Sequence, residues 1–157
     1  MTRTQKITPC LWFDRNAEEA VRHYISIFEN SRIVSLSRYG EMGLLPKGTV
    51  LCVVFELEGQ RSKALNGGPH FKKFTEAISM SVSCDTQTEL DDFREKLSAG
   101  GEKGRSGWLE DKFGLSWRIV PSVLNKMMRD IDSGKSNLVT AGLLRMNKLK
   151  IASLRQA

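Results

Sequence analysis

One pattern governs what this chain can fold into. A short apolar strand followed at once by a capped amphipathic helix occurs twice, about seventy residues apart, in a chain of 157. Residues Ile7 to Phe13 read as the first strand. Asn16-Ala17-Glu18-Glu19 then places a capping side chain three residues ahead of a glutamate, the arrangement of a capping box. Ala17, Ala20, Val21, Tyr24, Ile25 and Phe28 follow at helical spacing, an apolar stripe that needs a sheet to cover it. The pattern returns at Ile78, Met80, Val82 and Cys84, which alternate with Ser79, Ser81 and Ser83 as a strand with one apolar and one small polar face. Thr86-Gln87-Thr88-Glu89 is a second capping box, Leu90, Phe93 and Leu97 form its stripe, and Gly100-Gly101 stop it.

Each strand-helix pair is followed by further strands. The first has Arg32 to Tyr39, Thr49 to Leu57 and Gln60 to Asn66, parted by the Gly40 to Gly48 loop and a tight Glu58-Gly59 turn. The second has Arg105 to Glu110 and Leu115 to Pro121, with Asp111 to Gly114 turning between them. The expected fold class is therefore α+β: two βαβββ modules, residues 7–66 and 77–121, forming a cup-shaped mixed sheet within a single domain and related by pattern rather than by letters. Residues 122–157 read as a tail of helices, Ser122 to Asp130 and Asn137 to Gln156, the second interrupted by Gly142. These are expected to pack on the outside of the domain or across a dimer.

No apolar run exceeds Val50 to Phe55, and Met1 to Lys6 lead into a single short strand, too little for a signal or a membrane span. A cytoplasmic location is expected. Cys10, Cys52 and Cys84 are odd in number and each sits in a strand-like run, which argues for buried, reduced thiols rather than disulfides or a zinc site. The net charge of +6 is uneven. Residues 1–121 hold 17 basic against 16 acidic side chains, a balance of +1, and residues 122–157 hold 7 against 2, a balance of +5. A basic tail can meet nucleic acid or an acidic partner, but charges so spaced are those of a solvated helix face, and nucleic acid is not an expected partner.

Three blocks carry a resemblance: Ile7 to Asp14 with the Asn16 to Ala20 helix start, Ala64 to Phe71, and Gly107 to Pro121. In these the chain resembles the PhnB-like group, also called the 3-demethylubiquinone-9 3-methyltransferase domain, of the glyoxalase/bleomycin-resistance (vicinal oxygen chelate) superfamily. The resemblance implies the paired βαβββ cup and a homodimer. The superfamily includes metal-dependent lyases, isomerases and dioxygenases as well as metal-free proteins that sequester a drug, so the fold leaves the activity open. Its metal enzymes take His or Glu ligands from the inner faces of four strands; the matching positions here are Thr8, Ala64 or Asn66, Ala77, and Arg118. None is a normal ligand. Arg118 lies four residues after Gly114, where metal-binding relatives place a glutamate, and its guanidinium repels a cation. It either meets a carboxylate or phosphate on a ligand or forms a salt bridge with Asp111 or Glu110.

The family name also implies methyl transfer. A Rossmann-type methyltransferase needs a glycine-rich turn between strand and helix, and neither Asp14-Arg15-Asn16 nor Cys84-Asp85-Thr86 contains one. The glycine-rich run Gly100 to Gly107 follows a helix and reads as a cap plus a turn. No cofactor and no metal are expected.

What remains is a small-molecule pocket with an aromatic lining and a few polar groups. Its candidate residues are Thr8, Trp12, Asn66, His70, Ser79, Ser81, Trp108 and Arg118. Alternation puts Trp12 with Thr8 and Cys10 on the inward face and makes Ser79, Ser81 and Ser83 a polar wall opposite. Trp117 falls on the face away from Arg118, as a core residue would. Asn66 either offers its amide to a ligand or holds the turn at Gly67-Gly68. His70 can act as a general base, though no nucleophile is paired with it; His23 reads as an exposed or edge helix residue, and no catalytic residue is identified. Three readings stand: a metal-free dimeric protein binding a small anionic or aromatic molecule; an enzyme, either the methyltransferase of the family name or a metal-dependent lyase or dioxygenase using a set such as Cys10, Asn66 and His70; and an interaction module using the basic tail.

Overall fold

In the computed structural model, residues 4–71, 73–129, 133–146 and 148–155 are described. Met1 to Arg3, and Asp130, Asn147 and Gln156 of the expected tail helices, lie outside them. The chain divides into two compact units, residues 1–72 and 73–157, each holding one module.

The first module follows from the apolar stripe of its helix. Strand β1 (Cys10–Phe13) leads into α1 (Ala17–Ile27), and β2 (Ser31–Arg38), β3 (Val50–Leu57) and β4 (Gln60–Asn66) follow. The sheet order is β1-β4-β3-β2, with β1 parallel to β4 and the other pairs antiparallel. Ala17, Ala20, Val21, Tyr24 and Ile27 of α1 are buried, and the register puts Leu11, Phe13, Val53, Phe55 and Ala64, all buried, on a common sheet face. Each larger side chain of this core contributes about 1.5–3 kcal/mol by leaving water. The Glu58-Gly59 turn forms as expected, both residues at positive φ (48° and 77°), the geometry a two-residue hairpin loop requires. β1 pairs from Cys10 rather than Ile7, although the Pro9 carbonyl still accepts a hydrogen bond from Lys63 N at 2.8 Å; proline has no N–H to continue the ladder.

The second module repeats this topology. It runs β5 (Ser79–Cys84), α2 (Gln87–Ser98), β6 (Glu102–Lys103), β7 (Trp108–Glu110) and β8 (Ser116–Pro121), in the order β5-β8-β7-β6 with β5 parallel to β8. Leu90, Leu97, Leu109, Trp117, Ile119 and Cys84 form its core. β6 escapes sequence reading because two residues carry no periodicity; it lies inside the glycine run expected as cap and turn. Gly101 precedes it where the chain passes so close to β7 that a Cβ would sit 2.1 Å from the Glu110 carbonyl oxygen. The expected α+β class with two βαβββ modules is the observed one.

The two helix starts are built differently. Thr86 caps α2 as expected, its hydroxyl accepting from Glu89 N at 3.2 Å, while the Glu89 carboxylate accepts from Asp85 N at 2.8 Å. Asn16, expected to do the same, makes no side-chain cap bond. Its place is taken by Asn66 from β4, whose Oδ1 accepts from Ala17 N at 2.9 Å.

The tail also differs from expectation. Instead of two helices it forms α3 (Ser122–Met128), α4 (Ser133–Arg145) and α5 (Ile151–Arg155), with Gly142 inside α4 and the break after Arg145. Leu149, Ile151 and Leu154 are buried. Among the described residues no helix is long and apolar enough to cross a membrane. All three thiols are free, but only Cys84 is buried; Cys52 is half-buried and Cys10 exposed, against the expectation of three core thiols. The reason is alternation: Cys10 and Cys52 share register rows with Lys63 and Leu65 on the sheet face that α1 leaves uncovered.

Candidate functional site

Pairing register decides which candidate side chains share a face. In the second module Ser81 pairs with Arg118 and Arg118 with Trp108, so the three form one row across β5, β8 and β7. The neighbouring row is Ser79, Ser116 and Glu110. Met80, Trp117 and Leu109 alternate onto the other face, toward α2. Four candidates, Ser79, Ser81, Trp108 and Arg118, are thus brought together on the face that α2 does not cover.

Arg118 is the centre of that row. Its guanidinium carbon lies 5.7 Å from the Trp108 ring centroid, within cation–π range. Its Nε is buried without a hydrogen-bond partner, and among the described residues Arg118 makes no ion pair. The salt bridge to Asp111 or Glu110 is therefore not formed. Asp111 is engaged elsewhere: Oδ1 accepts from Phe113 N at 2.8 Å and Leu115 N at 3.0 Å, and Oδ2 from the Trp117 indole at 2.8 Å. Trp117 is a core residue, 2% exposed.

The first module holds the other candidates. Trp12 shares a row with Leu65 and Cys52 on the face away from α1. Its indole N–H donates to the Gly68 carbonyl at 3.0 Å, its ring lies over Gly67 so closely that a Cβ there would be 2.1 Å from Cζ2, and Phe71 meets it edge-on at 4.6 Å. With its one polar group committed, Trp12 has only apolar surface to offer. Thr8 precedes β1, half-buried, and His70 is exposed beside Gly68. His23 is half-buried on α1.

Asn66 is turned away from these residues. It is 1% exposed, its Oδ1 caps α1, its Nδ2 donates to the Val50 carbonyl at 3.0 Å, and its own carbonyl accepts from the Tyr39 hydroxyl. Its amide holds the fold, and the set Cys10, Asn66 and His70 is not assembled. No group of three or more His, Cys, Asp or Glu side chains able to hold a metal ion occurs among the described residues. Neither strand-to-helix junction has a glycine, and Gly101 and Gly107 stand where the chain packs closely on neighbouring backbone.

Sequence reading missed Arg94. It is 3% exposed, and its guanidinium donates to the carbonyls of Trp108 at 3.2 Å and Gly104 at 3.0 Å; burial pulls its pKa down from the ordinary value. Its signal was a charged residue four after Leu90, inside an apolar stripe.

Topology and register define an α+β protein of two βαβββ modules, each presenting one helix-covered and one uncovered sheet face. The chain belongs to the 3-demethylubiquinone-9 3-methyltransferase family, whose model matches residues 5–120, and is PhnB-like. The PhnB protein from Bacillus cereus is 40% identical, with a TM-score of 0.68 over 74% of this chain and 99% of that one. Protein PA1353 from Pseudomonas aeruginosa shares the fold at 17% identity, with a TM-score of 0.64 over 75% of this chain and 98% of that one. No curated protein matches the sequence.

Proposed function

We propose that this PhnB-like protein binds a small oxyanion carried on an aromatic or apolar body, without a catalytic metal, at the uncovered face of its second module. The observation that carries the reading is Arg118: a guanidinium in register between the Ser81 hydroxyl and the Trp108 ring, with a buried Nε and no ion-pair partner among the described residues. A buried N–H without a partner costs about 1–3 kcal/mol, which a carboxylate or phosphate oxygen would recover. The fork of the guanidinium suits two such oxygens, Ser81 adds a donor, and Trp108 offers a face on which a ring can stack. A cation at this position would meet a fixed positive charge, which is why a metal-dependent lyase or dioxygenase is disfavoured. Acting in the cytoplasm as a homodimer fits three free thiols and the family.

The test is titration calorimetry with phenyl phosphate and benzoate on untagged protein, alongside its native mass and metal content. Binding that Arg118→Gln weakens at least about tenfold, the loss expected of a charged hydrogen bond, supports the reading. Binding indifferent to Arg118→Gln, or one metal ion per chain that survives dialysis, would overturn it.

A further inference from the structure

The family match ends at residue 120, yet the chain continues into a segment whose Leu149, Ile151 and Leu154 are buried. Two contacts tie this extension to the turn that launches Trp108, and three more tie it to α2. Ser106 N donates to the Met146 carbonyl at 2.7 Å. Leu149, fully buried, lies against Gly107, where a Cβ would be 3.0 Å from Leu149 Cδ1 and 2.4 Å from the Ile119 carbonyl oxygen. Gln87 of α2 then clamps the extension with both ends of its amide, donating to the Leu149 carbonyl at 3.1 Å and accepting from Ile151 N at 2.9 Å. Lys148 pairs with Asp91 of α2 at 3.1 Å.

The turn itself needs holding. Ser106 (φ 54°) and Gly107 (φ 83°) are both left-handed, and for Ser106 that conformation is costly unless its surroundings enforce it. Arg94 grips the same turn from α2 through the Gly104 and Trp108 carbonyls. The turn ends at Trp108, which pairs with Arg118.

We infer that the C-terminal arm, Met146 with Lys148 to Arg155, is a positioning element that locks the Arg105–Trp108 turn and so sets the Trp108 ring over Arg118. It rests on the reading of that row as a binding face. The arm makes ring placement, and hence discrimination among aromatic oxyanions, depend on a segment beyond the family's matched region. Gln87 and Leu149 are positioning residues, since they act through the turn.

The experiment uses the full-length, 15N-labelled chain, comparing wild type with Gln87→Ala, which releases both arm contacts of the amide, and Asp91→Asn, a milder variant that weakens the Lys148 pair and the hydrogen bond Asp91 Oδ1 accepts from Gln87 Nε2 at 2.9 Å. Amide hydrogen exchange at Ser106 and the indole signal of Trp108, assigned with Trp108→Phe, are read before any ligand is added. The inference expects Ser106 exchange to rise at least about tenfold in Gln87→Ala and less in Asp91→Asn, the Trp108 indole signal to shift or broaden, and phenyl phosphate affinity to fall about threefold or more. Ser106 exchange at the wild-type rate in both folded variants would overturn it, as would faster exchange with the Trp108 signal unmoved. Arg118→Gln separates the two ideas: it should remove phenyl phosphate binding and leave Ser106 exchange unchanged. If Arg118→Gln keeps full binding, the binding-face reading falls while exchange and indole signal still judge the arm.

Discussion

Replacing Asn66 distinguishes a ligand-binding residue from a structural one. Its side chain makes two buried hydrogen bonds, accepting from Ala17 N at 2.9 Å and donating to the Val50 carbonyl at 3.0 Å. Asn66→Ala leaves both partners dehydrated and unpaired, at about 1–3 kcal/mol each. Both partners are buried, and a total of about 3 kcal/mol, toward the low end of the summed range, is expected. For a chain of this size that corresponds to a fall in Tm of about 6–12 °C. Asn66→Asp refines the test: it keeps the acceptor for Ala17 N, placed well for the helix dipole, but sets a carboxylate oxygen against the Val50 carbonyl. It should therefore also destabilise, through the Val50 arm alone. Urea unfolding followed by far-UV circular dichroism measures both. A loss below about 1 kcal/mol for Asn66→Ala, with phenyl phosphate binding abolished, would refute the structural assignment and return Asn66 to the binding site.

The two helix starts should respond unequally, Thr86→Ala costing about 1 kcal/mol and Asn16→Ala about 0.3 kcal/mol or less in the same urea assay, because only Thr86 makes a cap bond; equal losses would contradict the swap of cap roles between Asn16 and Asn66. A thiol reagent at pH 8 should label exposed Cys10 first, half-buried Cys52 slowly, its thiol pushed up by burial and by neighbouring Cys10, and Cys84 only on unfolding. Burial pushes the Cys84 thiol up from 9.0 to about 12, so the stabilisation it gives as a neutral thiol is whole below pH 9.0 and is lost as pH rises toward about 12. Cys84→Ala should flatten the alkaline arm of the stability profile relative to wild type, and an unchanged arm would show that other groups set it.

Much of the fold was legible because it is local. The stripe from Ala17 to Phe28, the alternation of Ile78 to Cys84, the Thr86 capping box and the Glu58-Gly59 turn each depend on neighbours a few residues away, and periodicity reports them. Alternation along β8 likewise suffices to put Trp117 in the core and Arg118 on the opposite face. Strand β6 was hidden because two residues carry no period. The roles of Asn66 and Arg94 were hidden because their partners lie 49 residues away at Ala17 and across a turn at Gly104 and Trp108.

What the sequence determined alone was the repeated strand-helix grammar, the donor types, and the absence of any glycine at the strand-to-helix junctions. What only tertiary structure decided was who meets whom: register aligned Ser81, Arg118 and Trp108, left Arg118 without an acidic partner among the described residues, spent Asn66 on a helix cap, and folded the basic tail back against α2. Those outcomes depend on pairing between distant segments, where a shift of one residue would exchange the two faces of a strand, and no local pattern carries that information.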